Sequence, residues 1–209
     1  MNVLIKVCGM REPDNIRDIL TLDPDFLGLI FYPKSSRYVT SPTIINNIRF
    51  GQNTKKTGVF VNATEDEIMQ KVKLYELQAV QLHGEESVVL CRSLRNKGVL
   101  VLKAFQIYAA EDFEDTLLYN DQVDYFLFDT KTASYGGSGS KFDWSLLDAY
   151  HGNTPFFLSG GIGPDDVQAI QKINHPLFRG VDLNSRFEIA PAIKSYTLLQ
   201  QFIKQLNSL

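Results

Sequence analysis

The chain is short of the features that mark a secreted, membrane-bound or nucleic-acid-binding protein. Of its 209 residues only two are cysteines, Cys8 and Cys91, and they stand in segments of different type. That leaves no disulfide framework and no metal-ligand spacing, and it suits a reducing compartment. No stretch reaches the roughly 18 consecutive apolar residues of a membrane span. The opening MNVLIKVCG lacks the charged start and longer apolar run of a signal peptide. There is no basic stripe or Arg-rich run, and the net charge is -3, so nucleic acid is not an expected partner. Nor is there a linker, a repeat or a low-complexity tract. What is there is ordinary globular material, 44% hydrophobic and 22% charged, enough for one sizeable core. A single cytoplasmic domain over residues 1–209, with no membrane and no metal, is the expectation.

Short apolar runs recur at Leu4–Val7, Phe26–Phe31, Thr57–Val61, Ala79–Leu82, Val99–Phe105, Tyr125–Phe128, Pro155–Leu158 and Phe178–Leu183. Most are followed by a turn and a stretch with helical spacing: 13–22, 64–75, 85–97, 109–120, 164–173 and 193–206. Thr64 with Glu67 offers a capping box, and Pro13 and Pro164 suit first-turn positions. Strands alternating with helices of this length predict βαβ units and a parallel sheet. Eight strand candidates, each with a following segment, predict a closed (β/α)8 barrel. An open doubly wound sheet is the alternative.

Cys8 ends the first strand in Lys6-Val7-Cys8-Gly9-Met10. In a barrel that is the C-terminal mouth, where catalytic groups sit. A free thiol titrates near about 8.5, close enough to neutrality for its thiolate to act as base or nucleophile. The competing reading is a small buried apolar residue. Lys6, on the same strand face, would either favour the thiolate or pair with a barrel carboxylate. Asp129 ends the sixth apolar run and is either a loop cap or an acid/base group. Gln81 and His83 share one strand face; His83 is either an acid/base group or a hydrogen-bonded support. Arg37, in the loop after the second strand, is a surface charge or a fork for a substrate carboxylate. Three late loops carry glycine or serine where helices would start: Gly136–Gly139, Ser159–Gly161 and Asn184–Ser185. Such loops let backbone N–H groups converge on an anion, and barrels often hold phosphate after strands seven and eight.

The motifs KVCGM (6–10), GLIFYPKSSRYV (28–39), GVFVN (58–62), VQLHGEE (80–86), FDTK (128–131), YGGSGSKFDW (135–144), LSGGI (158–162) and GVDLNSRFE (180–188) together resemble phosphoribosylanthranilate isomerase. The resemblance runs in order over all eight strand ends. It implies a cofactor-free Amadori rearrangement of a phosphosugar–anthranilate substrate in tryptophan biosynthesis. It also implies Cys8 as general base, Asp129 as general acid and Arg37 on the anthranilate carboxylate. Gln81, His83 and Asp182 would complete the substrate site. Gly137, Ser138, Gly139, Gly160, Gly161, Asn184 and Ser185 would hold the phosphate. A weak association with other tryptophan-pathway enzymes is a further expectation.

Two positions depart from the family pattern. Arg186 stands where a small residue often follows the last serine. Pro191-Ala192-Ile193-Lys194-Ser195 replaces the more usual Pro-Gly-x-Lys-Asp. Three other readings compete. One is the histidine-pathway sugar isomerase, which uses aspartates and would leave Cys8 and the Arg37 loop without a role. The second is a Schiff-base aldolase using Lys103. The third is a non-catalytic phosphosugar-binding barrel.

Overall fold

The computed structural model describes residues 3–130 and 142–208. Eight parallel strands close into a barrel: β1 (Leu4–Val7), β2 (Phe26–Ile30), β3 (Lys55–Phe60), β4 (Ala79–Leu82), β5 (Leu100–Ile107), β6 (Tyr125–Thr130), β7 (Phe156–Leu158) and β8 (Phe178–Leu183). Closure is made by β8 against β1, with Leu4 opposite Gly180 and Val7 opposite Leu183. The open-sheet alternative is thereby excluded.

The helical layer departs from the sequence expectation in three places. Helices α1 (Pro13–Leu20), α2 (Pro42–Asn46), α3 (Glu65–Tyr75), α4 (Val88–Asn96), α5 (Val167–Gln171) and α6 (Tyr196–Leu206) cover the sheet. The segment after β5, however, is a 3-10 helix over Ala110–Tyr119, not an α-helix. Its buried residues, Phe113 and Thr116, lie three apart, the repeat of a 3-10 turn. The segment after β7 opens as a 3-10 turn, Pro164–Asp166, before α5 begins. Ile193–Lys194 is not helical: it is strand β10, paired antiparallel with β9 (Glu188–Ala190) in a small hairpin after β8. The capping box at α3 is formed: Glu67 N–H donates to Thr64 Oγ1, and Thr64 N–H donates to Glu67 Oε2.

Strand alternation divides the barrel interior into a floor and a mouth. At the floor Phe26, Ala79, Leu102, Leu127 and Phe157 pack together with Tyr125 and Leu4. Phe157 meets Phe26 and Tyr125 edge-on, with centroids 5.4 and 5.2 Å apart, an arrangement favoured by the ring quadrupoles. Further along the same faces stand Cys8, Gln81, Asp129 and Asp182. The fold thus fills one end of the barrel with hydrocarbon and leaves the other for chemistry.

Candidate active site

A cavity lies at the C-terminal mouth. Its wall includes Cys8, Gln81, His83, Asp129, Gly160, Gly161, Asp182, Asn184 and Ser185. Those residues are far apart in sequence and come from the ends of β1, β4, β6, β7 and β8, as parallel strand ends in a barrel require. Gly137, Ser138 and Gly139 lie outside the described residues.

Cys8 is 3% exposed. A Cβ on Gly28 of β2 would sit 2.8 Å from its Sγ, so only glycine leaves room for the thiol there. Burial pushes the thiol above its usual range; Lys6 opposes this and Asp182 adds to it. Lys6, fully buried, donates to Asp182 Oδ1 at 2.8 Å, and Ser159 Oγ donates to Oδ2 at 3.3 Å. Burial alone would lower the Lys6 ammonium, but Asp182 and Cys8 outweigh it and hold it above its ordinary value. Lys6 pairs with a barrel carboxylate, one of its two expected roles, and it also faces the thiol.

On the opposite wall Gln81 Nε2 donates to His83 Nδ1 at 2.6 Å. The other ring nitrogen, Nε2, faces Asp129 Oδ2 at 3.3 Å. Thr130 N–H donates to Oδ1 at 2.8 Å. The Asp129 side chain keeps 22% exposure. Gln81 Oε1 is buried with no hydrogen-bond partner among the described residues, and Gln81 lines the cavity, offering an acceptor to whatever enters.

Arg37 is not loose in its loop. Nε and Nη2 donate to the two oxygens of Glu188, at 2.8 and 2.6 Å, a fork-to-fork pair. Glu188 also accepts from Lys194 Nζ at 2.6 Å and from Ala192 N–H at 3.1 Å. Burial works to raise the Glu188 carboxyl, and Arg37 and Lys194 overcome it. Lys194 donates in addition to Asn184 Oδ1 at 2.7 Å; burial pulls its ammonium down against the hold of Glu188. The roles of Glu188 and Lys194 escape a reading by strand ends, because they sit on the hairpin beyond β8. The available signal is the departure at Pro191–Ser195. There Ala192, where the family has glycine, adopts a left-handed φ of 68°, at a cost of about 1–2 kcal/mol for a residue with a Cβ.

Gly160 and Gly161 take positive φ in succession, 83° and 68°. Among the described residues the N–H groups of Gly160, Gly161 and Ile162 find no acceptor, which suits an anion. A Cβ on Gly160 would press to 2.5 Å on both Asp129 Oδ1 and Thr130 Oγ1, so this loop also abuts the carboxyl. Arg186 is exposed and is not in the cavity wall; its stem lies along Gly163. Lys103 faces away from the interior, between Leu102 and Ala104 of the inner cluster. Its ammonium donates to the carbonyls of Gly84 and Ala104, which removes the aldolase reading.

Comparison with known proteins agrees with this geometry. The family model for N-(5'phosphoribosyl)anthranilate (PRA) isomerase matches residues 5–205. The N-(5'-phosphoribosyl)anthranilate isomerase of Parabacteroides distasonis is 50% identical over 98% of this chain and 93% of its own length. That of Phocaeicola vulgatus is 43% identical over 98% of both. The crystal structure of the Thermotoga maritima enzyme superposes with a TM-score of 0.86 at 35% identity, covering 99% of this chain and 100% of that one. A phosphoribosyl anthranilate isomerase in complex with reduced 1-(o-carboxyphenylamino)-1-deoxyribulose 5-phosphate superposes at 0.83 with 32% identity, over 99% and 100%. The chain belongs to the N-(5'-phosphoribosyl)anthranilate isomerase family.

Proposed function

We propose that Cys8 is the general base and Asp129 the general acid in converting N-(5'-phosphoribosyl)anthranilate to 1-(2-carboxyphenylamino)-1-deoxyribulose 5-phosphate. Protonated Asp129 gives its proton to the furanose ring oxygen as the C1–O bond breaks. The nitrogen lone pair forms the C=N bond of a protonated Schiff base. That cation acidifies the C2 proton, and the Cys8 thiolate takes it. The C2–H electron pair becomes C1=C2 and the iminium electrons return to nitrogen, giving an enolamine. Loss of the enol proton and protonation at C1 yield the ketone, and solvent exchange returns Cys8 and Asp129 to their starting forms.

One observation carries this reading: a buried thiol touched by an ammonium and a partly covered carboxyl face each other across one cavity. The thiol, held high by burial, gains its negative charge most readily when the iminium cation is beside it. Arg37 would hold the anthranilate carboxylate through the guanidinium edge that Glu188 leaves open. Gly160, Gly161, Asn184 and Ser185 would hold the phosphate. Clamping both ends fixes the reacting atoms between acid and base. The test is turnover of purified protein with Asp129→Asn, which keeps the side-chain shape and removes the proton. Loss of kcat by about 10²-fold or more is expected; retained turnover would reassign the acid.

A further inference from the structure

The hairpin after β8 belongs to no part of the barrel pattern, yet it reaches the mouth twice. Glu188 opens one strand and Lys194 closes the other. Both side chains are buried, 7% and 0% exposed, and they bond to each other, to Arg37 and to Asn184. Arg37 Cδ and Asn184 Oδ1 in turn pack against Gly9, where a Cβ would meet them at 2.6 and 2.7 Å. The residue following Cys8 is therefore the contact point between the hairpin network and the thiol.

The charges do not balance on this wall. Lys6, Arg37 and Lys194 are cations; Asp182 and Glu188 are anions. One positive charge is left over. β2 places uncharged Gly28 against the thiol. His83 and Asp129 face it from across the cavity.

We propose that the β9–β10 hairpin is the positioning element of the mouth: Glu188 locks Arg37 in place, and Lys194 supplies the surplus positive charge matched by the Cys8 thiolate. The inference rests on the reading of Cys8 as base and Arg37 as carboxylate clamp, and neither hairpin residue touches substrate in it. Arg37 and Lys194 both interact electrostatically with Cys8. Because the same carboxylate holds both cations, the base and the clamp are set by one network.

The test reads Cys8 directly through its rate of alkylation by iodoacetamide between pH 6 and 10, in a Cys91→Ala background. Removing a cation should raise the pH at which Cys8 ionises; removing an anion should lower it. Lys194→Met should therefore slow alkylation at pH 7.5 by roughly tenfold, the equivalent of one pKa unit. Glu188→Gln should speed it by a similar factor. Lys194→Arg should behave as the parent. In steady state Glu188→Gln should raise KM roughly tenfold while kcat changes far less, because the clamp loosens while the base is intact. General disruption moves both variants the same way, and that result, or no shift in either, overturns the proposal. Should Lys194→Met fail to fold, the direction of the Glu188→Gln shift decides alone. Alkylation reads Cys8 whether or not it is the base, so failure of this coupling is distinguishable from failure of the base assignment, which Cys8→Ser turnover tests.

Discussion

The two cysteines occupy sites that match in many respects, and their differences separate the thiol proposed as base from the other. Each is buried, 3% exposed at Cys8 and 0% at Cys91. Burial pushes both thiols up. Each feels a lysine paired with a carboxylate: Lys6 with Asp182, and Lys103 with Glu86. A buried cysteine near a lysine is therefore not in itself a site. Cys91 lies on α4, in the layer between sheet and helices, where Lys103 and Glu86 offset each other and Lys103 also spends its donors on carbonyls. Cys8 has the same pair plus three additions: a cavity, a surplus cation and a carboxyl on the facing wall.

The sharpest way to break this comparison is to exchange sulfur for oxygen. Cys8→Ser keeps the shape but holds its proton far above physiological pH. We expect kcat to fall by about 10²-fold or more, the worth of a general base, with KM little changed. Cys91→Ser should keep kcat within about threefold, since Cys91 is not in the wall of the mouth cavity. Comparable activity in the two variants would remove the base from Cys8.

The strand ends were legible in the sequence because alternation and register tie each residue to a face. Cys8, Gln81, His83, Asp129 and Asp182 all arrive at one cavity for that reason. Asp182 was readable as a site residue, but not as the partner of Lys6, which is 176 residues away. Glu188 and Lys194 were visible only as part of the family pattern. Their partner Arg37 is 151 residues from Glu188, and Ile193 mimics the start of the helix that follows. The 3-10 segment at Ala110–Tyr119 was hidden because short apolar spacings of three and four fit both helix types. Family motifs place a residue in the site; they do not say what it is bonded to.

Removing the clamp should cost almost as much as removing the base. Arg37→Ala should lower kcat/KM by about 2–4 kcal/mol if a charge-assisted bidentate contact to the substrate carboxylate is lost. Much of the loss should appear in KM. A substrate analogue without the carboxylate should respond far less. Equal losses on both would show that Arg37 does not read that group and stands only as the partner of Glu188.

A smaller effect concerns the phosphate end. Inorganic phosphate should inhibit competitively and weakly, through the open N–H groups at Gly160–Ile162. Ser185→Asp places a carboxylate in that wall, and like charges repel more strongly where water is scarce. The inhibition constant should rise by roughly tenfold or more. Gly160 is the wrong residue for this experiment, because any Cβ there also displaces Asp129. Unchanged phosphate inhibition in Ser185→Asp would move the anion elsewhere.

The smallest expected effect isolates the cost of burying a thiol with no function. Burial lifts Cys91 from an ordinary value of 9.0 to about 11. The native protein therefore holds this proton more tightly than the unfolded chain does. That contribution to stability is fully present below about pH 9 and is lost as pH rises through about 11. It should amount to about 1–3 kcal/mol. Cys91→Ala lacks it, and should lose about 1 kcal/mol or more at neutral pH from the space left in the core. Urea unfolding of the two proteins between pH 7.5 and 10.5 separates these contributions. The stability advantage of the parent should shrink as pH rises, since only the parent must ionise or strain a buried thiol. Groups remote from Cys91 titrate alike in both proteins and cancel in the difference, whereas Lys103 and Tyr119, which interact with Cys91, contribute to it. A gap that stays constant over this range would mean that Cys91 gains its charge as easily inside the helix–sheet layer as in water.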